Sequence, residues 1–238
     1  MGEAMLSAII NKCVAENGDI TVSDISQPRL KYLKQKDAVN VTTNNQKAIT
    51  GASIIVLAIK PQNLPAVMNE LTGRLKTTQL VISIIAGATI DTLRSGLSHN
   101  NIVRSMPNTP AQIGEGVSVW TATTEVTAIQ KKRAANILGT MGKEFFVDDE
   151  RYLDMATAVS GSGPAYLFYF VESFIDAAVA IGWTRETAKE LVMGTVLGAA
   201  HLIENLIENL LTCAAWSLHP AALQLRLSAY LTKVSSLI

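Results

Sequence analysis

Cysteine and histidine are scarce in this chain of 238 residues: there are two cysteines, Cys13 and Cys213, and three histidines. No CxxC pair and no metal-ligand spacing can be drawn from them, which removes a disulfide scaffold and a metal site and suits a reduced, cytoplasmic compartment. Both cysteines then read as small buried apolar residues. Net charge is absent too, with 20 Lys and Arg against 20 Asp and Glu. Without a basic run, no field draws in nucleic acid or an anionic membrane, so the expected partner is a small molecule or a second copy of the chain. The N-terminus lacks the basic, apolar and small-residue layout of a signal peptide. The most apolar run, "PAYLFYFVESFIDAAVAIG", carries Glu172 and Asp176 in its middle, each costing roughly 2.5–3.5 kcal/mol at a bilayer centre. It reads as a buried helix, not a membrane span.

What is present is apolar: 48% of the residues, enough to build a core for one large domain or two modest ones. Over the first 150 residues short apolar runs alternate with helical patterns. "DITVSD", "SIIVLAI", "QLVISIIAG", "NIVRSM", "GVSVWTA" and "EFFVD" read as strands, and "QPRLKYLKQK", "PQNLPAVMNELTGRL" and "VTAIQKKRAANILGTMG" as helices. Runs such as "SIIVLAI" are apolar at consecutive positions, as a parallel strand covered on both faces requires. After Asp149 the strand signals stop and the pattern is helical. The fold class read from this is α/β, a doubly wound parallel sheet over residues 1–150 followed by an all-α domain over 151–238.

The opening stretch, "MGEAMLSAII", already reads as the first turns of a helix. In a Rossmann-like doubly wound sheet the first strand runs through a G-x-G-x-x-G turn into a helix whose N-terminus binds a dinucleotide pyrophosphate. Gly2 fits the third glycine of that turn. Asp24 follows at the end of the next strand, where the motif places a ribose-binding carboxylate. The expectation is a sheet with its first strand missing and a weakened hold on the nucleotide.

Four segments in order, "LAIKPQNLPAVMNEL", "ISIIAGATI", "VRSMPNTPAQIGEG" and "AVSGSGPAYLFYFVESFIDAA", resemble the pyrroline-5-carboxylate reductase family, over roughly residues 1 to 203. The resemblance implies hydride transfer from NADPH, or NADH, to the C=N carbon of pyrroline-5-carboxylate, in the last step of proline biosynthesis, by a homodimer or larger homo-oligomer. On the cofactor side it implicates Gly2, Ser23, Asp24, Ser26, Arg29, Asn45, Ala58, Lys60, Pro61, Ala86, Gly87, Met106, Pro107 and Asn108. Asp24 suits a ribose 2′-hydroxyl and so NADH, whereas Ser26 and Arg29 suit the 2′-phosphate of NADPH. Small residues at Ala58, Ala86 and Gly87 permit close approach of the cofactor. Met106 can pack on the nicotinamide, and the Asn108 amide can both donate and accept hydrogen bonds toward substrate or carboxamide.

On the substrate side the resemblance implicates Asn108 and the turn Ser160, Gly161, Ser162 and Gly163. Its backbone N–H groups at a helix start, with Pro164 at the first helical position, suit the substrate carboxylate. No catalytic side chain is assigned. β-Hydroxyacid dehydrogenases share the two-domain plan but place a catalytic lysine where this chain has Leu167, which favours imine reduction. Beyond about residue 206 the sequence departs from the family, as a shifted reading frame or a native helical extension would make it do. The alternative to an active reductase is a truncated or frame-shifted member that catalyses nothing.

Overall fold

The computed structural model describes residues 1–205. The departure expected from about residue 206, and Cys213, lie outside the described residues. The chain opens on α1 (Gly2–Asn11), which buries Met5 and Leu6. β1 (Thr21–Ser23), α2 (Gln27–Asp37), β2 (Asn40–Thr42) and a short α3 (Asn45–Ile49) follow. Ser26 starts α2 by accepting the Arg29 N–H on its hydroxyl, with Pro28 in the first turn. Asn44 starts α3 in the same way, accepting from the Lys47 N–H.

β3 (Ile54–Leu57), α4 (Leu64–Leu71), β4 (Leu80–Ser83), α5 (Ile90–Leu97) and β5 (Ile102–Met106) continue the alternation. Every residue of β4 is buried, the signature of a strand covered on both faces. Its side chains sort by the two-residue period of a strand. Leu80 and Ile82 join Met5, Ala134 and Leu138 on one face, while Val81 joins Leu64, Leu71, Leu93 and Leu97 on the other. After β5 come β6 (Gly116–Ala122), α6 (Ala128–Gly139) and β7 (Gly142–Phe146). A reciprocal cap between Thr127 and Gln130 opens α6.

The doubly wound α/β plan is the expected one, with two departures in the sheet. β6 pairs antiparallel with β5, Val103 opposite Ala122. The connection is a short 3-10 turn (Thr109–Ile113), and so compact a link reverses the chain where a parallel pair needs a crossover. The strands also fall into two sheets, a parallel β1–β2 pair and the five-stranded β3-β4-β5-β6-β7. Among the described residues no strand pairs with the second edge of β1 or β3, and between them opens a cleft of ≈ 1530 Å³ lined also by α1.

The chain divides into two compact units between Pro164 and Ala165, later than residue 150, where strand signals end. α7 (Arg151–Ala156) and the π-helical turn after it (Thr157–Gly161) stay with the sheet. Leu153 is fully buried there, and Arg104 of β5 pairs with Glu150 and Asp154.

The second unit takes most of α8 (Gly163–Ala180) and then α9 (Arg185–Asn205), packed together through Ile175, Ala178, Ala188 and Val192. Glu172 and Asp176 are paired across the unit: Arg185 donates to both carboxylates. The run read as a buried helix is largely exposed, Tyr166 through Phe170 being 39–63% accessible, because α9 covers only the opposite, alanine-containing face. Cys13 is likewise exposed, in left-handed backbone past the end of α1. Among the described residues no helix is long and apolar enough to cross a membrane.

Candidate functional site

Because β3, β4 and β5 run parallel, their C-terminal ends share one edge of the sheet, the edge at which open α/β sheets bind ligands. The turns at that edge carry Ala58, Lys60 and Pro61, then Ala86 and Gly87, then Met106, Pro107 and Asn108. Ala58, Lys60, Pro61, Ala86 and Gly87 are all exposed there. The first turn of α1 meets the same edge: a Cβ on Gly2 would lie 3.0 Å from Ala58 Cβ. Residue 2 must be small for helix and strand end to approach this closely.

Gly2, Ser23, Asp24, Arg29, Asn45 and Ala58 all line the cleft between β1 and β3. Ser26 does not, being the N-cap of α2, and its N–H donates to Asp24 Oδ1 at 2.8 Å. Arg29 donates to the carboxylate of Glu3, and Asn45 donates to Glu70 Oε2 at 2.8 Å. Lys60, Pro61, Ala86, Gly87 and the 106–108 turn lie outside the cleft, on the neighbouring strand ends.

Two motifs separated in sequence come together at the end of β5. A Cβ on Gly161 would lie 3.1 Å from Met106 Cε. Asn108 is buried; its Nδ2 donates to Ser160 O at 3.0 Å, and its Oδ1 accepts the Val117 N–H at 2.8 Å. Part of its amide is thus spent on backbone, not held free for a ligand. The turn also differs from the expected helix start. Helix already runs through α7 and the π turn, the Ser162 N–H donates to Thr157 O at 2.8 Å, and the Ser160 hydroxyl donates to Ala156 O at 3.1 Å. Ser162 therefore presents no free N–H, because its donor is taken by the wider i to i−5 turn.

Arg104 and Glu150 escaped the sequence reading. The guanidinium of Arg104 is 5% exposed, lies 2.6 Å from Glu150 Oε1 and 3.3 Å from Asp154 Oδ1. Glu150 also accepts the Ile90 N–H at 2.8 Å, which joins the start of α5 to β5 and α7. The signal was a lone arginine inside the apolar strand "NIVRSM". Glu3 was missed as well, since a first-turn glutamate reads as ordinary helix chemistry.

The donor set suits a dinucleotide. The N-terminus of α1, the Asp24 carboxylate and the Arg29 guanidinium line one cleft, and small residues follow along the neighbouring strand ends, groups that could hold the phosphates and ribose of such a cofactor. Fold and edge together define a nicotinamide-dinucleotide oxidoreductase with a helical C-terminal region.

Residues 2–87 match the family model described as NADP oxidoreductase, coenzyme F420-dependent, and residues 150–224 the one described as pyrroline-5-carboxylate reductase dimerisation. Pyrroline-5-carboxylate reductase of Pseudomonas aeruginosa is 39% identical over 184 residues, 77% of this chain and 67% of its own. That of Synechocystis is 36% identical over 209 residues, 88% of this chain and 78% of its own. Among solved structures, the Plasmodium falciparum pyrroline carboxylate reductase with NADP bound superposes with a TM-score of 0.83 at 27% identity, covering 98% of this chain and 92% of that one. The Coxiella burnetii pyrroline-5-carboxylate reductase gives 0.81 at 27% identity, over 99% and 94%. The chain belongs to the pyrroline-5-carboxylate reductase family, whose members are NAD(P)-dependent oxidoreductases.

Proposed function

We propose that this chain reduces pyrroline-5-carboxylate to proline with NADPH, and less readily with NADH, in the cytoplasm. The observation that carries the reading is the junction of the "MPNTP" and "SGSGP" turns, which Asn108 ties together at the end of β5, beside the strand ends that suit a dinucleotide. When bound, reduced nicotinamide supplies the hydride that saturates the C=N bond. The chain supplies binding and orientation.

Gly2 and the first turn of α1 take the pyrophosphate. Ser23, Asp24, Ser26, Arg29 and Asn45 take the adenosine end; Ala58, Lys60, Pro61, Ala86 and Gly87 form the bed at the strand ends. Met106, Pro107 and Asn108 border the reacting ring, and Ser160, Gly161, Ser162 and Gly163 hold the substrate. With the Ser162 N–H and the Ser160 hydroxyl proton occupied, the turn contributes the Ser162 hydroxyl and its remaining backbone groups. An imine nitrogen is protonated before hydride arrives, so the exposed Leu167 in place of a lysine costs this reaction nothing. Residues 1–150 serve the nucleotide; residues 151–238 serve substrate and self-association, with the exposed aromatic run of α8 as the contact between copies.

The test is consumption of NADPH by the purified chain with and without pyrroline-5-carboxylate. Imine-dependent consumption with proline as product supports the reading. Consumption at the background rate in both would replace it with the non-catalytic alternative.

A further inference from the structure

Two cations beside the cleft, Arg29 and Lys36 of α2, are both taken up by one carboxylate on α1. Lys36 Nζ lies 2.9 Å from Glu3 Oε1, and the Arg29 guanidinium bonds Glu3 Oε2. Lys36 also reaches the Ser7 hydroxyl at 3.4 Å. The Tyr32 ring lies 5.4 Å from Arg29 and 5.7 Å from Lys36, so one face of α2 holds both. Glu3, Asp24, Arg29 and Lys36 all line the cleft.

The adenosine end of NADH and NADPH differs only at the ribose 2′ oxygen. A hydroxyl there needs an acceptor, which Asp24 offers; a phosphate needs a cation whose charge is not already matched. We infer that Glu3 competes with a 2′-phosphate for Arg29 and Lys36, and so sets the margin by which this chain favours NADPH over NADH. The inference rests on the dinucleotide reading above. The hydrogen bond from Lys36, and then the charges of Arg29 and Lys36, hold the Glu3 carboxyl below the usual carboxylate range, so the competitor is anionic at neutral pH. All three side chains are partly solvated, at 26–45% exposure, so the phosphate displaces a screened pair and not a buried one.

The test uses fragments that lack nicotinamide. Affinities for 2′,5′-ADP and 5′-AMP are measured by calorimetry on the parent chain, on Glu3→Gln, and on Glu3→Gln combined with Arg29→Gln and Lys36→Gln. Glu3→Gln tightens 2′,5′-ADP about tenfold relative to 5′-AMP, and the added loss of both cations removes that gain. An unchanged ratio, weaker binding of 2′,5′-ADP to Glu3→Gln, or a gain that survives loss of both Arg29 and Lys36 overturns the inference while leaving nucleotide binding intact. Failure of the parent and of Glu3→Gln to bind either fragment overturns the dinucleotide reading, and this inference with it.

Discussion

The two sheets among the described residues differ in what holds them. In the five-stranded sheet, Leu80, Val81, Ile82, Ile102 and Val103 are each no more than 1% exposed, with helices on both faces. In the β1–β2 pair no strand residue is fully buried, and the apolar support is a small cluster of Leu6, Leu33 and Val39. The stable sheet presents strand ends and a tied pair of turns; the lightly supported pair presents polar and charged groups to the cleft. Dense packing thus lies under the proposed chemistry, and the lightly packed pair under the proposed nucleotide discrimination.

The sharpest way to break this comparison is in the core of the larger sheet. Ile82→Ala should cost about 2–5 kcal/mol in urea denaturation, whereas Val22→Ala in β1 should cost about 1 kcal/mol or less. Equal losses would mean that the two sheets are held alike. Arg104→Ala comes next. It removes hydrogen bonds to Glu150 and Asp154 from a buried guanidinium and should lower stability by about 2–3 kcal/mol in the same assay. It should also loosen the 150–161 segment, seen as faster amide exchange there than in β4.

Asn108→Ala should cost about 1 kcal/mol and raise KM for the imine more than KM for NADPH, because its bonds reach the Ser160 turn and not the cleft. In the helical unit, Phe168→Asp places a charge in the exposed aromatic run, and sedimentation should show a smaller species than the parent with the far-ultraviolet spectrum retained. The smallest effect is expected at Arg185→Gln, an exposed pairing with two exposed carboxylates, which should leave the denaturation midpoint where it was.

Much of this was legible in the sequence. Consecutive apolar positions announced β3, β4 and β5, and the small residues and prolines at their ends announced the edge. The short β2 and α3 carry too few residues for a period to show, and α5 has two buried side chains to mark its face. The antiparallel turn of β6 was hidden because alternation of strand and helix says nothing of direction when the link is short. The π turn was illegible for a different reason: "SGSGP" looks like a helix start, and only the register of the helix before it uses the Ser162 N–H. The bond from Asn108 to the Ser160 carbonyl was not legible either, since the two residues lie far apart in sequence. The helix read as buried shows that apolar composition reports burial only where a partner element exists to cover it.

The most direct test of the account is amide hydrogen exchange with and without saturating NADPH. Slowed exchange at residues 2–4, 58–61, 86–87 and 106–108, with α9 unchanged, is the predicted result. Slowing confined to α8 and α9, or no change at the ends of β3, β4 and β5, would contradict the placement of the nucleotide at the edge of the sheet.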